Sequence, residues 1–155
     1  MIDINYILSK YPGAKVFEDG FNVSEAIHSG QAGKVVPIVQ KKRWGGEVWL
    51  IYNNKYALKI LYISQGQRLS LQRHKQKEET WNIIKGQPEI LLGGQTIHAL
   101  PGEIYHVPPD TIHRLFAEKD DVEILEVSSP ELWDLERIED DYNRGQYKND
   151  VPVKG

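Results

Sequence analysis

Four side chains of this sequence are of the types that hold a transition-metal ion without sulfur. Gln72, His74 and Glu79 stand in the run Ser70-Leu-Gln-Arg-His-Lys-Gln-Lys-Glu-Glu-Thr-Trp81, and His113 closes Pro108-Pro-Asp-Thr-Ile-His113. Imidazole nitrogens and a carboxylate suit zinc, iron, manganese or nickel, while a glutamine adds a neutral and weaker amide oxygen. A single carboxylate against a dication leaves residual positive charge, so such an ion stays a strong Lewis acid toward a substrate oxygen and lowers the pKa of a bound water.

These groups need strands to bring them together. Along a strand Ser70, Gln72 and His74 share one face and Leu69 and Leu71 the other. Glu79, Trp81 and Ile83 share a face of the next strand, and a loop over Lys75 to Glu78 returns Glu79 beside His74. His113 follows a Pro-Pro turn and enters the same cavity from a distant strand. Residues 41–128 read as a β-barrel, with ten short strand candidates beginning just upstream: Val35–Val39, Val48–Tyr52, Tyr56–Ser64, Arg68–His74, Thr80–Lys85, Glu89–Leu92, Gln95–Leu100, Glu103–Val107, His113–Ala117 and Val122–Val127. Turn residues punctuate them, with Gly93-Gly94 the clearest two-residue hairpin. Residues 1–40 form an arm with two short helices predicted. One follows Ile4, Ile7, Leu8 and Tyr11 to Pro12-Gly13, and the other runs from a Ser24 cap to Gly30. Residues 129–155 form a C-terminal extension, in which Ser129-Pro130-Glu131 reads as a helix start. From Asn143 onward the polar, Gly/Pro-punctuated tail is expected to be mobile at its end.

Composition narrows the function. The 155 residues are 40% hydrophobic and 26% charged, a single-domain globular balance, and the formal net charge of −3 gives no electrostatic reason to expect nucleic acid. No apolar run approaches the roughly 20 residues of a membrane span. The chain has no cysteine, which excludes disulfides and thiolate zinc sites. With no signal-peptide pattern at Met1-Ile-Asp-Ile-Asn-Tyr6, a cytoplasmic setting is expected.

The segment Gly66 to Gly86 resembles the first cupin motif: Gly66, His74, Glu79 and Gly86 fall in register, with Gln72 where the general motif has its first histidine. Gly102, Pro108 and His113 resemble the second motif, with Asp110 replacing its glycine and Ala117 its terminal asparagine. Ser-Leu-Gln-x-His followed by Glu-x-Trp is similar to the cupin domain of type II mannose-6-phosphate isomerases. So are Lys42-Arg43-Trp44-Gly45, Pro108-x-x-x-x-His113-Arg114, Glu123-Ile-Leu-Glu-Val127 and Arg137-Ile-Glu-Asp-Asp-Tyr-Asn-Arg144. The resemblance spans roughly residues 41–144. It implies an all-β double-stranded β-helix, or jelly-roll barrel, and a zinc-type site at Gln72, His74, Glu79 and His113. The nucleotidyltransferase domain often joined to that family's cupin has no counterpart in these residues, and residues 1–40 match nothing in the family pattern.

The expected activity is an aldose–ketose isomerase on a sugar phosphate such as mannose 6-phosphate, with metal supplying Lewis acidity and a side chain moving a proton between carbons. His106 is the candidate base if it faces inward. Arg114 is a candidate cation beside the site. Lys59 shares a face with Ala57, Leu61 and Ile63, so an interior position demands an anionic partner. Trp81 can stack on a sugar ring, and Arg137 and Arg144 are candidate substrate contacts. His28 and His98 are assigned no role. Alternatives are another cupin enzyme, such as a sugar epimerase or an iron dioxygenase, or a non-catalytic metal- or sugar-binding module. A homodimer is expected, because strands such as Val48–Tyr52 can pair with a second subunit.

Overall fold

The computed structural model describes residues 1–23 and 32–144. Helix α1 (Ile4–Lys10) comes first, capped by the Asp3 side chain, which accepts a hydrogen bond from Asn5 N at 3.0 Å. Twelve described strands follow: β1 (Lys15–Phe17), β2 (Ile38–Lys42), β3 (Gly45–Tyr52), β4 (Ala57–Ile63), β5 (Leu71–Arg73), β6 (Glu79–Lys85), β7 (Glu89–Leu92), β8 (Gln95–His98), β9 (Ile104–Val107), β10 (His113–Phe116), β11 (Val122–Ser128) and β12 (Glu136–Glu139). They form a seven-stranded sheet, β1-β2-β3-β4-β11-β6-β9, and a five-stranded sheet, β12-β5-β10-β7-β8. The β1–β2 pair is parallel, and the other described strand pairs are antiparallel. This is the all-β double-stranded β-helix architecture expected from the motifs.

The two sheets share one core, to which the first contributes Leu61, Ile63, Trp81 and Ile124 and the second Ile90 and Leu115. Each such side chain stabilises the sandwich by about 1.5–3 kcal/mol relative to exposure. Helix α1 packs Ile7 with Val39, Val48 and Tyr62 on the outside of the larger sheet. None of the described helices is long and apolar enough to cross a membrane.

Two glycines are fixed by close approach. A Cβ on Gly45 (φ 145°) would lie 1.9 Å from Tyr62 O, and one on Gly86 (φ 84°) 2.4 Å from Asp121 O. Gly93 and Gly94 both take positive φ between Leu92 and Gln95, as the predicted two-residue turn requires. Asp110, which replaces a motif glycine, takes the same left-handed conformation (φ 61°), and its backbone N–H donates to His74 O at 2.7 Å. The turn that delivers His113 therefore survives the substitution, because aspartate tolerates this region better than most residues.

Several expectations need correction. The first barrel strand begins at Ile38 rather than Val35 and continues to Lys42. Strand β1 was not predicted; three residues carry too little periodicity. The stretch 68–70 is not regular strand, so Leu69 packs against the core instead of facing outward. No helix starts at Ser129. That residue is tied to the 75–78 loop, accepting from Glu78 N through Oγ (3.0 Å) and donating its own N–H to Glu78 O (3.1 Å). The chain then turns and pairs as β12 with β5, Arg137 opposite Gln72. An open strand edge outcompetes the local cap signal. The predicted Ser24–Gly30 helix, His28 and most of the tail beyond Asn143 lie outside the described residues.

Candidate metal centre

Strand alternation delivers three of the four candidate ligands to one buried point. His74 follows β5, Glu79 opens β6 and His113 opens β10, with 5%, 2% and 1% of their surfaces exposed. One ligand atom from each lies within 4.8 Å of the others. Glu79 Oε1 stands 2.9 Å from His113 Nε2 and 3.7 Å from His74 Nε2. Two bonds of about 2.1 Å to a common ion would span up to about 4.2 Å, so only a small contraction separates this arrangement from a coordination sphere.

The protonation pattern fits a cation. His74 Nδ1 lies 2.5 Å from Asp134 O, and His113 Nδ1 lies 2.8 Å from Thr111 O. A carbonyl accepts only, so each Nδ1 carries the proton, and an uncharged ring turns its Nε2 lone pair inward. Burial holds the His74 pKa below the ordinary imidazole value, favouring that uncharged form. Burial works against the charge of Glu79, but Lys77 and the two histidines outweigh it and hold its carboxyl well below the usual range. His74 Nε2 and both Glu79 oxygens have no hydrogen-bond partner among the described residues. Buried acceptors facing one another without a proton between them are costly. A divalent ion removes that cost, and backbone carbonyls behind both imidazoles are the usual orienting partners of metal-bound histidines.

Gln72 is placed beside this group, with its assigned Nε2 3.2 Å from His113 Nε2 and its Oε1 accepting from Ser70 Oγ at 2.9 Å. A half-turn of the amide exchanges its oxygen and nitrogen, and the Ser70 hydroxyl can serve either end. With Oε1 inward, Gln72 completes a set of two nitrogens and two oxygens.

Behind Glu79 runs a chain of buried charges of which sequence reasoning singled out only Lys59. Lys77 Nζ lies 3.3 Å from Glu79 Oε2 and 3.8 Å from Glu126 Oε2, while Lys59 Nζ lies 3.5 Å from Glu126 Oε2 and 3.3 Å from Glu47 Oε1. Lys59 thus finds its anionic partners within the protein. Burial opposes its charge, yet Glu126 and Glu47 raise its pKa above the lysine norm. For Glu47, burial is outweighed by Lys59 and then Lys42, leaving the carboxyl at about 2. Burial and the Glu79 charge push Glu126 upward. The signal for Glu47 was present: it alternates with Gly45 and Trp49, and Trp49 sits opposite Lys59. Beginning that strand at Val48 hid it. Lys77 stands in the predicted loop over Lys75 to Glu78, where sequence alone gives no reason for its burial. Asp134 explains its burial, because the Asp134 carboxylate accepts the backbone N–H groups of Lys75, Gln76 and Lys77 at 3.0, 2.5 and 2.9 Å and folds the loop inward.

Gln72 and His74 line a cavity of about 620 Å³. Its inner wall carries Glu47, Lys59, Lys77 and Glu126. Lys42, Arg43, Arg137 and Arg144 add cationic side chains to its lining. Arg144 is fastened to the Asp140 carboxylate by two guanidinium hydrogen bonds, Nε to Oδ2 at 3.0 Å and Nη2 to Oδ1 at 2.9 Å, and by its backbone N–H to Oδ2 at 2.8 Å.

Three predicted residues fall elsewhere. The His106 side chain is 56% exposed. It contacts Thr80 Oγ1 at 3.0 Å on the outer surface, because Glu79 and Trp81 take the inner face of the paired strand. Arg114 points away from His113, as alternation dictates, and binds the carbonyls of Leu69 (2.9 Å) and Glu139 (3.3 Å). Trp81 is core, not cavity lining. It packs edge-on to His113 with ring centres 5.5 Å apart and directs Nε1 to Glu126 Oε1 at 3.3 Å. A second group, Glu89, His98 and Glu118, also clusters, but His98 and Glu118 are exposed, and exposed acidic groups commonly cluster without an ion.

Residues 33–144 match the family model of the mannose-6-phosphate isomerase C-terminal domain. The alginate biosynthesis protein AlgA of Pseudomonas aeruginosa is 30% identical over 105 residues, 65% of this chain and 22% of that protein. The chain thus spans about a fifth of that curated relative's length. A crystal structure of a Klebsiella pneumoniae protein with a double-stranded β-helix domain superposes with TM-score 0.53 at 19% identity, covering 77% of this chain and 96% of that one. A cupin 2 conserved barrel domain protein from Rhodopseudomonas palustris gives TM-score 0.51 at 21% identity, covering 54% and 59%. The fold seen in these structures and the family match across both ligand-bearing segments agree: the chain is a cupin domain and belongs to the mannose-6-phosphate isomerase C-terminal family.

Proposed function

We propose that the protein is a metal-dependent sugar-phosphate isomerase interconverting an aldose and a ketose, with mannose 6-phosphate as the favoured substrate and zinc as the favoured ion. The observation that carries this reading is the convergence of two imidazole nitrogens and a carboxylate, all buried, with His74 Nε2 and both Glu79 oxygens lacking a hydrogen-bond partner among the described residues, beside a cavity lined by cations. His74, Glu79, His113 and Gln72 would hold the ion, which when bound supplies Lewis acidity toward the sugar oxygens.

The remaining tasks fall to the chain's own side chains. Arg137 and Arg144 attract the phosphate, with Arg43 adding charge to the cavity. Lys59 donates a hydrogen bond to a sugar oxygen from its place between Glu47 and Glu126. Glu47, on the cavity wall, takes the proton from C2 on a carboxylate oxygen and returns it to C1, while Lys59 gives a proton to the C1 oxygen and recovers one from the C2 hydroxyl. The exchange is neutral overall. Held at about 2 by Lys59, Glu47 is always charged but weakly basic. A sugar oxygen that accepts from Lys59 shares its charge with Glu47 and so raises the basicity of Glu47.

The test is conversion of mannose 6-phosphate by zinc-loaded protein, with Glu79→Ala and His113→Ala as controls. Turnover by the wild type that both controls lose supports the proposal. Background rates in all three proteins contradict it.

A further inference from the structure

The family match begins at residue 33, yet one wall of the cavity comes from Asp19, Gly20, Phe21 and Val23. This arm is locked to the barrel. Strand β1 adds in parallel to β2, Lys15 opposite Ile38 through Phe17 opposite Gln40. The Gln40 amide, 2% exposed, donates Nε2 to the carbonyls of Phe21 (2.8 Å) and Glu18 (3.3 Å). Val23 packs in the cluster of Ile38, Trp49 and Tyr52. Breaking these contacts would strand a buried amide and expose apolar surface.

What the arm presents is chemically specific. Phe21 remains 37% exposed, while Phe17 stacks on it with ring centres 4.2 Å apart and planes inclined by 12°. Its orientation is therefore set in advance, with aromatic surface left for a ligand. Asp19, beside it, has a carboxylate oxygen 3.6 Å from Lys42 Nζ and a side chain 32% exposed. An oriented aromatic ring next to a carboxylate–ammonium pair suits a sugar. The ring covers the C–H face, the carboxylate accepts from hydroxyls and the ammonium donates to them.

We infer that the arm segment Asp19–Phe21 is the specificity wall of the cavity, Phe21 packing on the face of one sugar ring and Asp19 with Lys42 reading the configuration of its hydroxyls. The inference rests on the proposed sugar-phosphate reading and adds to it residues outside the family's matched region. Val16, on the same arm, 42% exposed and outside the cavity wall, is the control position.

The experiment measures KM and kcat with mannose 6-phosphate, and binding of mannose 6-phosphate and glucose 6-phosphate by calorimetry. It compares wild type, Phe21→Ala, Phe21→Tyr, Asp19→Asn and Val16→Ser, with thermal melting to verify folding. Phe21→Ala is expected to raise KM about tenfold with the loss falling on KM rather than kcat, and Phe21→Tyr to restore it. Asp19→Asn is expected to narrow the preference between the two epimers by at least about threefold, with Val16→Ser behaving as wild type. If the wild type converts mannose 6-phosphate while Phe21→Ala and Asp19→Asn keep its KM and epimer preference within about twofold, the arm has no such role and the isomerase reading stands. If the wild type neither binds nor converts either sugar phosphate, the inference and the reading fall together.

Discussion

The inner end of the cavity and its arm-side wall are built on opposite principles. Inside, His74, Glu79 and His113 are almost fully buried, and each imidazole is braced by a backbone carbonyl. His74 Nε2 and both Glu79 oxygens have no hydrogen-bond partner among the described residues, so that end carries an energetic deficit that a bound cation would relieve. On the arm side, Lys42 and Asp19 pair across 3.6 Å with the aspartate partly solvated, and such a pair contributes only about 0–1 kcal/mol. The contrast teaches where each property resides. On the proposed reading the inner end would couple ion binding to stability, whereas the wall could vary in charge and shape at little cost and so tune recognition.

The sharpest way to break this contrast is at Glu79. Glu79→Gln keeps the shape and removes the one carboxylate of the ligand cluster. Zinc affinity is expected to fall by more than about a hundredfold, and the rise in melting temperature on adding zinc to disappear. Glu47→Gln follows: kcat should drop about 10²–10⁴-fold with zinc content unchanged, read by steady-state kinetics beside metal analysis.

The same residue makes a pH prediction. Its carboxyl lies at about 2 in the folded protein against an ordinary 4.5, so the unfolded chain binds that proton more tightly. The stability it contributes is complete above pH 4.5 and is lost as pH falls from 4.5 toward 2, roughly 3 kcal/mol in all. Urea unfolding across that window should show a shallower decline for Glu47→Gln than for wild type. Asp134→Ala should cost about 1–3 kcal/mol in the same assay, because it strips three backbone N–H groups of their acceptor. At the wall, Asp19→Ala should change stability by less than about 1 kcal/mol, a result that separates a recognition surface from a structural one.

Much of this architecture was legible because the signals were periodic or covalently constrained. The inward face of Ser70, Gln72 and His74, the shared face of Glu79 and Trp81, and the Gly93-Gly94 turn all follow from alternation and turn chemistry. What escaped depends on tertiary partners. Ser129 and Pro130 carry the local grammar of a helix start, but Glu78 claims the serine and β5 offers an edge to the residues that follow. Lys77 looks solvated until Asp134, 57 residues away, draws its loop inward. Trp81 was offered as a sugar platform, but its inward face leads to the core beneath His113. The aromatics that line the cavity are Trp44, Trp49 and Phe21 instead, the last on an arm whose three-residue strand has too short a period to read.

Metal analysis of purified wild type and a Glu79→Ala/His113→Ala double variant, both equilibrated with zinc and desalted, tests the central claim most directly. One zinc per wild-type chain and none in the folded double variant is the predicted result. Equal zinc in both proteins, or none in either, would contradict it.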